Sequence, residues 1–276
     1  MKVLFDIGAT QIRVAVSADN QIISNPIVFP TPQEFNQGIT QIQQAALKLS
    51  QGQKIEAAAG GIPGPLNKQK NYVANFPNIA DWNNKPLKQS LEQALGSSVF
   101  LENDASLVGL GEAVVGAGKN KKIVAYITVS TGVGGARIVQ GKIDQKAGDF
   151  EIGHQIIVPN GSICGCQGLG HLEAYLSGSA IEKKYHQKPE SIKDGAVWEE
   201  MAKFLAIGIN NTIVYWSPEI IVLGGGVMKA ISLDKVKLYL QEIFTIFPEI
   251  PPIELNTLGD TGGLYGALEY LKQNSR

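Results

Sequence analysis

Apolar and polar positions along this chain switch between a period of two and a period near 3.6, which predicts strands and helices in alternation. Residues 2–5 form a short apolar run, Asp6-Ile7-Gly8-Ala9-Thr10 a polar break, and residues 12–16 a second β-like run. The three together predict a hairpin with a turn of small residues. Phe35, Ile39, Ile42, Ala46 and Leu49 recur at helical spacing and predict a surface helix over 34–51. Residues 55–62 read as a small-residue strand that runs into a Pro63-Gly64-Pro65 turn. Residues 71–82 are polar, aromatic and rich in Asn, a loop suited to lie near a ligand. A short amphipathic helix is predicted over 86–95 and a strand over 99–101. That strand delivers Glu102-Asn103-Asp104 at its carboxyl end, ahead of a helix over 105–115.

The opening plan then recurs. Residues 122–129 make the most continuous β run, followed by Ser130-Thr131-Gly132-Val133-Gly134-Gly135 and a strand over 136–139. Each copy is strand, Gly/Thr turn, and a strand bearing a basic residue, Arg13 or Arg137. We read an internal duplication, with one phosphate-type hairpin per half facing across a cleft that suits a nucleotide triphosphate. Beyond it, one helix is predicted over 174–185 with Ser177-Gly178-Ser179 near its middle, then a polar loop over 186–194 whose His186 is solvated. A long amphipathic helix over 196–216 ends at Ser217-Pro218, and a buried strand over 219–223 leads to Gly224-Gly225-Gly226. A helix over 233–244, a strand over 253–255 and a terminal helix over 261–272, with glycines that allow close packing, complete the chain. No low-complexity linker separates the halves, so any hinge is built from element ends.

Composition narrows the class. With 276 residues, 44% hydrophobic and 18% charged, the chain has ample length for one large or two medium domains. A net charge of −1 gives no electrostatic reason to expect nucleic acid or a membrane surface as partner. No apolar run approaches the roughly 20 residues of a membrane helix, and Asp6 interrupts the N-terminal apolar reach, so no export leader is predicted. Two cysteines separated by one residue make a poor structural disulfide and a good metal pair. We expect a reducing cytoplasm.

The chemistry concentrates between Glu151 and Glu173. His154, Cys164, Cys166 and His171 supply the donors that a tetrahedral zinc takes. Gly161, Gly165, Gly168 and Gly170 let a tight loop bring them together. Glu151 and Glu173 flank the set and are tied to whatever the loop holds in place. At the first hairpin, Gly8 and Thr10 can approach a phosphate while Asp6 faces it through Mg2+; the alternative is an ordinary hairpin whose Asp caps a turn. Asn103 and Asp104, at a strand's carboxyl end, can hold and deprotonate a hydroxyl, or one of them is simply a helix cap. Gly224, Gly225 and Gly226 let a base or ribose lie against bare backbone, or form a packing turn.

Taken together the motifs resemble the ROK family of sugar kinases and repressors, nearly end to end. DIGAT (6–10) looks like its first phosphate motif, GIPGPL (61–66) its inter-strand loop and ENDA (102–105) its catalytic segment. STGVGG (130–135) resembles the second phosphate motif, EIGH (151–154) the sugar motif, CGCQGLGHLE (164–173) the zinc motif and LGGG (223–226) the adenosine motif. The resemblance implies an actin-like (ribonuclease-H-like) α/β ATPase fold of two lobes, with a duplicated core and a cleft between them. The small lobe is expected over 1–115, with a C-terminal helix at about 261–276 packing back on it, and the large lobe over 116–260.

It further implies ATP-dependent phosphorylation of a hexose, foremost glucose at its 6-hydroxyl. Asp104 becomes the general base and Asn103 the residue that orients the hydroxyl; Glu151, His154 and Glu173 read the other ring hydroxyls. Asp6 serves Mg2+, with Gly8, Thr10, Thr131, Gly132 and Gly134 around the phosphates and Gly224, Gly225 and Gly226 along the adenosine. His154, Cys164, Cys166 and His171 hold a structural zinc. His171 departs from the family pattern, which usually has a third cysteine there. Alternatives within the resemblance are a fructokinase, a kinase of N-acetylmannosamine or N-acetylglucosamine, a catalytically dead sugar-binding subunit, and a sugar-responsive regulator. The last is disfavoured because the first strand begins at Lys2. A cytoplasmic homodimer is expected.

Overall fold

Residues 2–7 and 11–17 pair as an antiparallel hairpin, β1 (Lys2–Ile7) and β2 (Gln11–Ser17), in the computed structural model, which describes residues 1–74, 79–144 and 149–275. β1 is apolar at four of its six positions because both faces of its sheet are covered. Val3, Phe5 and Ile7 belong to one buried cluster and Leu4 to another. β3 (Ile27–Pro30), α1 (Phe35–Ser50), β4 (Ala57–Ile62), α2 (Leu87–Leu95), β5 (Ser98–Asn103) and α3 (Asp104–Val114) follow. The sheet order is β3-β2-β1-β4-β5, with β4 parallel to both β1 and β5. Phe35, Ile39 and Ile42 of α1, with Leu87 and Leu91 of α2, cover the face that carries Val3 and Phe5. The small residues of β4 have a reason: a Cβ on Gly60 would lie 2.1 Å from the Phe5 ring. Of the loop expected near a ligand, positions 75–78 lie outside the described residues, and Ala80–Trp82 form a 3-10 turn.

The chain divides into two units, 1–119 with 141–149 and 257–276, and 120–140 with 150–256. The second contains β6 (Ile123–Val129) and β7 (Val133–Val139); the two-residue β8 (Lys142–Ile143) lies at the sheet edge where the chain leaves the unit. β9 (Ile220–Gly224) and β10 (Ile253–Leu255) complete the order β10-β9-β6-β7-β8. Counted from the hairpin outward, both sheets share one order, third-second-first-fourth-fifth, with matching antiparallel and parallel pairs. The duplication expected from the two glycine turns is therefore present as topology. The basic residues do not match in register: Arg13 lies opposite Asp6, whereas Arg137 lies opposite Ala125 and donates from Nε to the Trp216 carbonyl, 3.1 Å away.

Where one helix was expected over 174–185, there are two, α4 (Glu173–Leu176) and α5 (Gly178–Tyr185). Ser177 sits between them with extended backbone, and its Oγ accepts from Ala180 N–H at 3.1 Å. The serine competes for a backbone donor and so caps a new helix instead of continuing the old one. α6 (Gly195–Trp216) lays Met201, Leu205 and Ile209 in the cluster that holds Ile127 and Leu223, and α7 (Leu233–Ile243) adds Val236 and Leu240. The C-terminal α8 (Gly262–Asn274) belongs to the first unit, with Leu264, Leu268 and Leu271 buried beside Leu4 and Leu107. Glycine is obligatory where α8 meets α3, because a Cβ on Gly266 would sit 1.7 Å from the Leu107 carbonyl oxygen.

Candidate active site and metal loop

In the first unit, β5 ends at Asn103 and α3 starts at Asp104 itself, a residue earlier than periodicity predicts. Asn103 does cap the helix: its Oδ1 accepts from Ser106 N–H at 3.1 Å. That bond fixes which way the amide faces, and leaves Nδ2 as the donor for a ligand. Its own N–H donates to Glu102 Oε1 at 2.9 Å. Asp104 Oδ1 accepts from Ala105 N–H at 2.8 Å, leaving Oδ2 as the basic oxygen. Burial raises the Asp104 carboxyl to about 7, with Asp6 and Asp149 adding like charge and the Ala105 bond opposing them. Gly61 lets the 61–66 loop pass close by, its missing Cβ only 3.0 Å from Asp104 Cα.

Asp6 lies near the end of β1, and burial pushes it up to about 6, against Arg13 and with Asp260. Arg13 Nη1 is 3.8 Å from Asp6 Oδ2, and its Nη2 is 3.4 Å from Asp260. Within the turn, Gly8 N–H donates to the Gln11 carbonyl at 2.9 Å and is spent in closing the hairpin. Thr31 secures the same turn, donating from Oγ1 to the Gly8 carbonyl at 2.6 Å and from N–H to the Thr10 carbonyl at 3.0 Å. Thr10 itself is exposed.

In the second unit, the 130–135 turn is bound to the helices that follow the metal loop. Gly178 N–H and Ser179 N–H donate to the Ser130 and Thr131 carbonyls at 2.7 and 3.2 Å. Val133 N–H donates to Glu173 Oε2 at 2.9 Å, and Gly132 has no room for a Cβ beside that same oxygen. Gly134 pairs opposite Thr128. The Glu151–His154 segment rests on this hairpin, since a Cβ on Gly153 would meet the Val133 carbonyl oxygen at 2.2 Å. Along the proposed adenosine edge, Gly225 has φ of +99° and lies against the Val129 carbonyl, while Gly224 packs on Tyr126. Only Gly226 of the three faces open space.

The four metal-type donors converge as expected. Their ligand atoms lie within 4.8 Å of one another. His154 Nδ1 is 3.3 Å from His171 Nδ1 and 3.7 Å from Cys164 Sγ, and Cys166 Sγ is 3.2 Å from His171 Nδ1. Zn–N and Zn–S bonds at tetrahedral angles separate donors by about 3.3–3.8 Å, so the cluster fits that ion. Using Nδ1 inward leaves His154 Nε2 outward, 3.8 Å from Glu151 Oε2. Glu173 Oε1 lies 3.7 Å from Cys164 Sγ, which ties that acid to the loop.

Periodicity and motif spacing give no partners to two buried acids. Glu102 is buried against Lys70 and Tyr270, and Glu112 is buried under residues 117 and 257–258. Each contact joins segments far apart in sequence, so no local pattern announces it.

Two five-stranded sheets of the same order, each opened by a glycine-turn hairpin, define a duplicated actin-like α/β ATPase fold. The pattern described as the ROK family matches residues 3–274, and the chain belongs to that family. A glucokinase of Thermotoga maritima is 28% identical over 307 residues, covering 97% of this chain and 96% of its own. An N-acetylmannosamine kinase of Haemophilus influenzae is 31% identical over 286 residues, with 97% and 94% covered. The crystal structure of a ROK family glucokinase from Streptomyces griseus in complex with glucose and AMPPNP aligns at a TM-score of 0.84 and 27% identity, over 99% of each chain.

Proposed function

We propose that this chain is an ATP-dependent sugar kinase that phosphorylates glucose on its 6-hydroxyl, with Asp104 as the general base. The observation that carries the reading is Asp104 itself. It starts a helix at the carboxyl end of a parallel strand, beside Asn103, and is held near a pKa of 7. A base of that strength is substantially ionised at neutral pH yet basic enough to take a proton as a hydroxyl attacks. The sugar hydroxyl gives its proton to Asp104 Oδ2 as its oxygen bonds the γ-phosphorus, and the bond from that phosphorus to the β-bridging oxygen breaks to release ADP. Asn103 Nδ2 donates to the reacting or adjacent hydroxyl. Glu151, His154 and Glu173 read the rest of the ring, Glu173 through Oε1 because Oε2 serves Val133.

Asp6 would hold Mg2+, directly or through water, with Gly8, Thr10, Thr131, Gly132 and Gly134 lining the phosphates; the ion supplies charge neutralisation when bound. Gly224, Gly225 and Gly226 border the adenosine. His154, Cys164, Cys166 and His171 would hold a zinc ion in a structural role, since four protein donors would leave no position for hydrolytic chemistry. The protein acts as a cytoplasmic homodimer on this reading, and sedimentation of the purified chain measures the dimer.

A coupled ADP-release assay across glucose, mannose, fructose, N-acetylglucosamine and N-acetylmannosamine tests the substrate. Glucose should be the best acceptor. Preference for an N-acetylated sugar would move the assignment to the activity named for the Haemophilus relative, and no turnover with any sugar would sink the kinase reading. Asp104→Asn should keep sugar binding and lose roughly 10²–10⁴ in turnover.

A further inference from the structure

We propose that Glu102, clamped by Lys70 and Tyr270, is a positioning residue that sets the Asn103–Asp104 step, a role that rests on the kinase reading above. Three independent observations lead there. Glu102 is 1% exposed within β5, a place where an acid is strongly unfavourable unless it is paired. Its Oε2 lies 2.5 Å from Lys70 Nζ, which also donates to Tyr270 Oη at 3.1 Å. Lys70 itself is held at φ of +53°, in the left-handed region, which is strained for a non-glycine residue.

That lysine sits in a tight turn secured by Asn67. Lys70 N–H donates to the Asn67 carbonyl at 2.7 Å, and Asn67 Oδ1 accepts from Asn71 and Tyr72 N–H at 2.7 and 3.1 Å. A buried ion and a strained backbone are thus both maintained to place one ammonium group under β5.

The consequence runs through the other carboxylate oxygen. Glu102 Oε1 accepts from Asn103 N–H at 2.9 Å, so Asn103 is gripped at its backbone by Glu102 and at its Oδ1 by Ser106. The direction of Asn103 Nδ2 and the start of the Asp104 side chain follow from that double grip. A displacement on the order of 1 Å at such a step costs up to about 100-fold in rate.

The test uses the full-length chain with Lys70→Met, Tyr270→Phe and the charge-neutral double variant Lys70→Met/Glu102→Gln. Turnover, sugar KM and thermal melting are measured for each. Lys70→Met should lower kcat about 10- to 100-fold while sugar KM stays within about 3-fold, and Tyr270→Phe should lower kcat about 3-fold. The double variant, free of an unpaired buried charge, should recover melting temperature without recovering kcat. If kcat per folded molecule stays within about 2-fold of wild type in Lys70→Met, or in the double variant where the single one fails to fold, the inference is overturned. Recovery of kcat together with stability in the double variant overturns it too. A wild-type chain that turns over no sugar brings down the kinase reading and this inference with it, whereas active wild type beside unimpaired variants brings down the inference alone.

Discussion

At the scale of a residue, activity and stability make opposite demands on the pH at which the buried aspartates ionise. A general base works only when ionised, and burial with like charge has moved Asp104 from 3.8 to about 7. Plotted against pH, log kcat/KM should therefore fall with unit slope below about pH 7, where an unperturbed aspartate would hold activity down to about pH 4. Stability runs the other way. Both carboxyls have folded-state pKa values above their unfolded ones, so their contribution is complete below about pH 4 and is lost as pH rises through about 6 and 7. On their account the ligand-free protein should melt higher at pH 5 than at pH 8, and Asp104→Asn should flatten that slope. An acid limb near pH 4, or a melting temperature that climbs across this window with the two aspartates as the only varied sites, would contradict the assignment. The carboxylate was legible as a candidate because it follows an apolar strand and opens a helix. Its strength as a base was not, since that depends first on burial in the folded unit and then on Asp6, 98 positions away in sequence.

At the scale of an element, the metal loop shows how a substitution in the family pattern is accommodated. An imidazole reaches farther than a thiol, and at position 171 the ring needs space that its own loop must provide. Gly168 provides it: a Cβ there would lie 2.3 Å from His171 Cε1 and 2.6 Å from Nε2. Gly168→Ala should therefore push the ring out of the donor set, lowering zinc content in elemental analysis and the melting temperature together. His171→Ala should do so more strongly by deleting the donor. Full zinc occupancy in both variants would show that the four donors do not hold the ion. The sequence made the donors readable because cysteine and histidine are scarce and closely spaced here; the Gly168–His171 dependence emerges only when the loop is folded. Periodicity failed in a different way at Ser177, where the apolar spacing over 174–185 continues but the chain does not, because a capping side chain won a backbone donor. It passed over β3, whose four residues alternate in burial and carry too few positions to form a pattern.

At the scale of the molecule, the first unit is assembled from three stretches of chain, and its integrity rests on contacts that join them. Glu112 is the clearest of these. It is fully buried on α3, with Oε2 accepting from Ala117 N–H at 2.9 Å and Oε1 accepting from Thr257 and Leu258 N–H at 3.0 and 2.9 Å. The Thr257 hydroxyl adds a further contact at 3.3 Å. Residues 117–119 close the unit's first stretch and 257–258 open its last, so one carboxylate secures both. Gly116 is required for this, because a Cβ there would stand 2.1 Å from Glu112 Oε2. Glu112→Ala removes the acceptor from three backbone donors and opens a cavity, a loss of roughly 3 kcal/mol or more. Glu112→Gln keeps the volume but only one acceptor oxygen, and should cost about half as much. Denaturant unfolding measures both changes. Limited proteolysis gives a sharper reading, since cleavage should accelerate at 117–120 and 255–258 while amide exchange in β6 and β9 stays at its wild-type rate. Uniform acceleration across the chain would mean that Glu112 serves general packing, and unchanged cleavage at the two stretches would mean that other contacts hold them.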